Sequence, residues 1–429
     1  MFLTLEDPRA KVQGSRDPLG VQPIWARFGR DVVTNLTTVS RMVRGFTVVL
    51  LGRYFGERLL EEGQVEEDEI VQVFLRFEQT AAYARYLRNP EDSYDIVLGI
   101  TRVTRLLDEY NGIVPIQDDP TGWILSDQKI YGLWGLYSVP ARVSGLLADG
   151  PVGLTPWARA FVEQNYLPSL GHVYDKLLDL VRDGGQLNTR QGQQLFEWVA
   201  RLLTSEFSQA ERTFYGEALR DAQQVTRTEA AERQRQLADL MRRTCQPDSA
   251  MGREALDKLA RAAEFAGYTA LANRLHRILR LEATLAPADA LFNLMLARNG
   301  QTPTAIATQL RDCWGREVPH LSGSIEPLLP EMHHAASKAQ VQHMQHCDQA
   351  IAHGAYEEAI RALIAWNGAV MAGRGTAPWV QLNGGKVDVK YRTTEDQLPR
   401  ADDLPVLWRN SYFLDALQTI TFQLEQTNA

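Results

Sequence analysis

Cysteine and lysine are scarce in this 429-residue chain, and no long apolar run occurs. Cys245, Cys313 and Cys347 stand far apart, which excludes a zinc ribbon or finger built on paired cysteines and suits a reducing cytoplasm. The most apolar run, Phe46 to Leu51, ends at Gly52 and Arg53, far short of a membrane span, so no membrane partner is expected. MFLTLEDPRAKVQG lacks a basic stretch leading into an apolar core, so no secretory leader is expected. A net charge of −8 excludes a whole-molecule basic field for gripping nucleic acid; any such contact needs a local patch. Only seven of the 45 cationic residues are lysine, the mark of a GC-rich bacterial coding sequence. No Walker-type phosphate loop, nucleophile elbow, His-Glu-x-x-His motif or dinucleotide-binding glycine fingerprint occurs. No catalytic residue and no cofactor are therefore expected.

What is present is an ordinary globular balance, 45% hydrophobic and 23% charged, long enough for two or three domains. Helical spacing dominates, and the fold class it predicts is mainly α. Residues 1–125 read as an N-terminal helical domain that opens with an irregular arm, 1–30, anchored by Trp25 and Phe28. In it, Val43, Phe46, Val49 and Leu50 mark one helix, Ile70, Val73, Phe74 and Phe77 a second, and 93–110 a third. IVPIQDDPTGWIL carries a hairpin signal around Asp118 to Gly122. Residues 167–300 read as a central helical bundle. Its charged stretch TRTEAAERQRQLADLMRR suggests an exposed strut or a docking surface. Residues 301–429 read as an α-rich part with a helical pair over 335–372 and a β-hairpin, 379–391, turning at Asn383-Gly384-Gly385. GAYEEAIRALIAW resembles half a tetratricopeptide unit, but no second copy follows. The final helix, WRNSYFLDALQTITFQL, has Trp408, Tyr412, Phe413, Leu417 and Ile420 as an apolar stripe, expected to dock on 335–372.

Residues 126–166 have the outline of a winged helix-turn-helix. Ser126 caps a supporting helix, Asp127 to Tyr137. Ser138 and Pro140 restart the chain as a presented helix, Ala141 to Ala148. Val152 to Leu154 is the wing strand, and Thr155-Pro156 opens the next helix. Candidate phosphate contacts there are Lys129, Arg142, Ser144 and Arg159. Further cations cluster near the arm (Arg27, Arg30, Arg41, Arg44) and at i+3 spacing on a later helix (Arg274, Arg277, Arg280). The plain alternative is a set of solvated faces paired with nearby acids.

Two constellations suggest metal chemistry. His343, His346 and Cys347 lie at i, i+3 and i+4, so they share a helical face. His333, His334 and His353 fall in the same window. Asp388 and Lys390 on the hairpin's second strand form half of a carboxylate-x-lysine nuclease arrangement, yet no Asp or Glu lies between Glu358 and Asp388 to supply the other half.

The segment RDPLGVQPIWARFGRDVVTNLTTVSRMVRGFTVVLLGRYF resembles uncharacterised helical proteins of bacterial antiphage-defence gene clusters. The resemblance covers about the first 165 residues and carries over no functional residue. It implies a cytoplasmic bacterial protein acting with neighbours such as helicases or nucleases. The leading expectation is a non-catalytic subunit that binds other protein subunits or double-stranded DNA in a DNA-processing or antiphage-defence complex. The alternatives are a metal-dependent nuclease or hydrolase, and a helical scaffold with no nucleic-acid contact.

Overall fold

The computed structural model describes residues 17–90, 98–150, 153–316, 318, 325–394 and 398–425. Residues 1–16 of the arm, the start of the helix expected over 93–110, and Val152 of the expected wing lie outside the described residues. The fold is mainly helical with two short antiparallel strand pairs. It divides into two compact units, each assembled from separate stretches of chain: the described residues up to Val32 with Ser249–Tyr412, and Val33–Asp248 with the described residues from Phe413. The four consecutive segments read from composition are thereby regrouped, and 126–166 is an internal part of the second unit.

Helix α1 (Gln22–Gly29) belongs to the first unit and replaces the last part of the expected irregular arm; Pro23 sits in its first turn, where no donor is lost. Its Ile24, Trp25 and Phe28 are buried.

The second unit is organised on α2 (Val43–Glu61) and α3 (Ile70–Arg88), which pack along one another. Gly52 and Gly56, one turn apart, permit that approach: a Cβ on either would stand 2.8 Å from Phe74 or Ile70. After α4 (Ile100–Glu109) comes β1 (Ile113–Ile116). The hairpin expected here does not form. Gln117 donates its backbone N–H to Gln79 and accepts from the same amide, and Asp119 accepts from Thr121, so the turn needs no strand partner. The unit continues through α5 (Gln128–Tyr131), α6 (Leu133–Val143), α7 (Pro156–Asn165), α8 (Leu167–Leu170) and α9 (Tyr174–Asp183). Strand β2 (Gly185–Asn188) then pairs with β1, Ile113 opposite Asn188 and Ile116 opposite Gly185. Helices α10 (Gln193–Arg201), α11 (Gln209–Tyr215) and α12 (Thr228–Thr244) follow.

Arg44 corrects a sequence expectation: it faces inward, not outward, and is only 3% exposed. It ion-pairs with Glu211, donates to the carbonyls of Thr204 and Glu206, and lies 4.1 Å from the centre of the Phe207 ring. The same Glu211 oxygen accepts from Tyr166, whose hydroxyl contacts that of Tyr215 at 3.0 Å. One buried charge pair therefore ties α2 to α11 and to the end of α7.

The first unit resumes with α13 (Arg253–Phe265) and α14 (Thr269–Leu296), packed as an antiparallel pair. Next come α15 (Pro303–Trp314), α16 (Leu329–Met332), and the expected helical pair α17 (Lys338–Ala352) and α18 (Tyr356–Gly373). Strands β3 (Val380–Asn383) and β4 (Lys386–Val389) form the expected hairpin, with Gly384 and Gly385 both at positive φ as its two-residue turn demands. Buried Glu282 on α14 accepts from the Arg409 and Asn410 backbone, the Asn410 amide and the Tyr412 hydroxyl, and so fixes the segment after the hairpin.

The last helix, α19 (Leu414–Glu425), belongs to the second unit and starts six residues later than its apolar stripe suggests. Tyr412 and Phe413 have φ of 48° and 64°, which no helix continues. It does not dock on α17 and α18 as expected. It covers α12 and α11 instead, with Arg212 donating to the Leu424 carbonyl and Gln418 to that of Gln246. The narrow apolar face of α12 (Leu237, Ala238, Met241) is thus buried rather than left as a strut.

Removing Glu211 leaves a guanidinium buried without its counter-charge. Glu211→Ala should lower stability by about 3 kcal/mol in urea unfolding, and Arg44→Met with Glu211→Leu should lose less than Glu211→Ala alone. Equal stability of Glu211→Ala and wild type would refute this role.

Candidate partner interface

The α5–α6 module is built from three anchors. Asp127, not Ser126, caps α5, accepting from the Ile130 N–H at 3.1 Å. Glu78 of α3 reaches the break between the helices: it accepts from the Leu133 N–H at 2.7 Å and from the Gln128 amide at 2.8 Å. Gly132 admits it, since a Cβ there would stand 2.8 Å from the carboxylate. On the α2 side, the Arg53 guanidinium lies 3.4 Å from the Trp134 ring centre and donates to Ser138 at 2.9 Å. Burial, and then the nearby Arg142 charge, pull Arg53 down to about 10.

The expected presented helix is absent. Helix α6 runs through Pro140, and Ala141 to Val143 form its last turn. Gly145, at φ 71°, ends it in a Schellman motif: its N–H bonds to the Arg142 carbonyl, and the Leu146 N–H to that of Ala141. Ser144 and Gly145, expected inside the presented helix, are a helix terminator. Among the described residues the expected wing shows one bridge, between Leu147 and Leu154, after which Thr155 caps α7 as expected.

Most of the candidate phosphate contacts are committed elsewhere. Arg142 donates to the Ala148 and Gly150 carbonyls and so holds its own turn. Ser144 is buried and accepts from the Asn35 amide at 3.0 Å. Arg159 is held by Glu61, by Glu57 at 3.4 Å and by Glu163 at 3.1 Å, which raise its guanidinium pKa above the usual value. Arg274 pairs with Asp31 and Glu331; Arg277 pairs with Glu331 and lies over Phe28. Of the eight, only Lys129 and Arg41 are exposed.

The metal candidates do not converge either. Cys347 is fully buried, which pushes its thiol pKa up, whereas His346 is exposed and lies 4.0 Å from Glu358. Among the described residues no group of three His, Cys, Asp or Glu side chains is arranged to hold a metal ion. Asp388 accepts from Gln381 across the hairpin, and the Lys390 amine lies 6.0 Å from the Tyr391 ring centre.

The structure instead exposes apolar residues that the sequence reading did not single out. Ile130, Tyr131, Val139 and Val143 are 40–59% exposed. The Ile130 carbonyl touches α6 at Gly135, where a Cβ would stand 2.1 Å away, so α5 lies beside the helical row Gly135, Val139, Val143. The signal was visible: α6 is apolar all round, more than one packed face requires. Lys129 and Arg142 flank this face, and among the described residues neither makes an ion pair.

Among the described residues no helix is long and apolar enough to cross a membrane. Comparison with protein-family models, with curated proteins and with solved structures gives no match. Function is therefore read from this geometry and from the sequence.

Burial raises the Glu78 carboxyl from 4.5 to about 7, against the donors that favour its ionised form. Between these values the folded state holds a proton that the unfolded state has released. Stability from this group is full below pH 4.5 and is lost as pH rises through 7, by at most about 3 kcal/mol. Glu78→Gln should flatten that part of the pH dependence of urea midpoints between pH 5 and 8; an unchanged slope would contradict it.

Proposed function

We propose that this chain is a non-catalytic, partner-binding subunit, and that the exposed face of α5 and α6 is where another protein docks. The observation that carries this reading is the exposure of Ile130, Tyr131, Val139 and Val143 on a module fastened to α2 and α3. Contiguous exposed apolar surface, with an aromatic in it, characterises protein contacts rather than nucleic-acid contacts. Its flanking cation Lys129 specifies the occupant: an apolar helix face rimmed by carboxylates. The N-terminal resemblance supplies the setting, a cytoplasmic bacterial DNA-processing or antiphage-defence assembly. Double-stranded DNA falls to other subunits in this reading, because all the candidate arginines but Arg41 are occupied.

The test is purification of the tagged full chain from its native host. Val139→Lys with Val143→Lys should leave folding unchanged, since both sites are exposed, and weaken the stoichiometric partner about tenfold or more. Lys129→Glu should weaken it further as charge complementarity is lost. A partner retained in full by the double variant would rule the face out.

A further inference from the structure

A second feature lies apart from the docking face, on the far stretch of α3 and the start of α10. Arg88 ends α3, Arg190 stands in the loop before α10, and Arg201 ends α10; all three line one cleft of about 560 Å³. The loop carrying Arg190 is fixed. Thr189 donates its N–H to the Gly112 carbonyl at 2.8 Å, and the Asn188 carboxamide accepts from the N–H groups of Arg190 at 3.0 Å and Gln191 at 3.3 Å. Arg201 lies 4.6 Å from the Trp198 ring centre, which orients its plane and leaves its N–H donors uncommitted to any acid.

None of these three guanidinium groups makes an ion pair among the described residues. Several other arginines of this unit, Arg44, Arg76, Arg159, Arg182 and Arg220, each hold a carboxylate. Among the described residues lining the cleft the one acid is Glu197, which accepts from the Gln193 amide at 2.8 Å. Its described lining residues thus carry three positive charges against one negative, on a chain whose net charge is −8. Ala84, Leu87 and Phe196 give it an apolar wall, with Leu87 exposed.

We propose that this cleft binds a phosphate-bearing small molecule of nucleotide size. Three unpaired guanidinium groups match a multiply charged phosphate, which accepts their forked donors better than a single carboxylate does. The volume falls within the range of small-ligand sites, about 300–1,000 Å³, and the apolar wall suits a base or comparable flat group. An extended nucleic-acid backbone is disfavoured, because it needs cations along a track rather than around one concavity.

Titration calorimetry of the full chain with ATP, AMP, inorganic phosphate and a short DNA duplex at constant ionic strength tests this. ATP should bind saturably, one per chain, and inorganic phosphate about tenfold more weakly because it leaves the apolar wall unused. Arg190→Ala and Arg201→Ala should each weaken ATP about tenfold without moving the thermal midpoint. Arg243→Ala, whose guanidinium is paired with Asp239 on α12, should change nothing. The proposal is overturned by absence of saturable ATP and AMP binding, by affinity indifferent to both cleft arginines, by phosphate binding as tightly as ATP, or by duplex DNA displacing ATP.

Discussion

A guanidinium removed from water must be met by acceptors on every side, and Arg44 imposes that condition on the second unit. Its partners come from residues 204, 206 and 211, far from α2 in sequence. Glu211 satisfies several demands at once. One oxygen meets Arg44 and Tyr166, and the other accepts the Ser208 N–H that starts α11 as a capping box. The pair therefore sets both a helix start and a helix contact. Glu282 does the corresponding work in the first unit with the opposite sign, gathering residues 409, 410 and 412 by their donors. Burial raises its pKa, and four donors oppose that shift. Each unit is closed by a buried charge whose partners lie more than a hundred residues away.

The same rule governs the surface arginines and hence the functional reading. A charge that already holds a carboxylate or its own backbone is a poor phosphate ligand, since the existing pair must first be broken. Arg159, Arg274 and Arg277 hold acids, and Arg142 holds carbonyls. What remains available is an apolar face on α5 and α6 and a separate cleft with Arg88, Arg190 and Arg201. The two differ in chemistry as well as in place, one suited to a protein surface and one to a compact anion.

Local chemistry was legible in the sequence. The helical spacing of α2 and α3, the α17–α18 pair and the Asn383-Gly384-Gly385 turn all follow from neighbours a few residues apart. Long-range choices were not. Nothing near Ile113 announces Asn188 as its partner, and nothing near Arg44 announces Glu211. Gly145 reads equally as a small residue on a presented helix or as the end of one; only its positive φ and the Leu146 bond to Ala141 decide. Tyr412 and Phe413 continue an apolar period that their backbone breaks. The cleft arginines were invisible for the same reason: residues 88, 190 and 201 share no period, and the fold alone brings them together.

The most direct measurement is fluorescence anisotropy of a short DNA duplex titrated with the full chain across a range of salt. With its candidate arginines occupied, the chain should show no saturable binding at about 150 mM salt, and only a shallow dependence at lower salt, with a log–log slope of about one or less. Micromolar or tighter binding at that salt, with a slope of several, would contradict the assignment of these arginines to internal partners and restore DNA as a ligand of this chain.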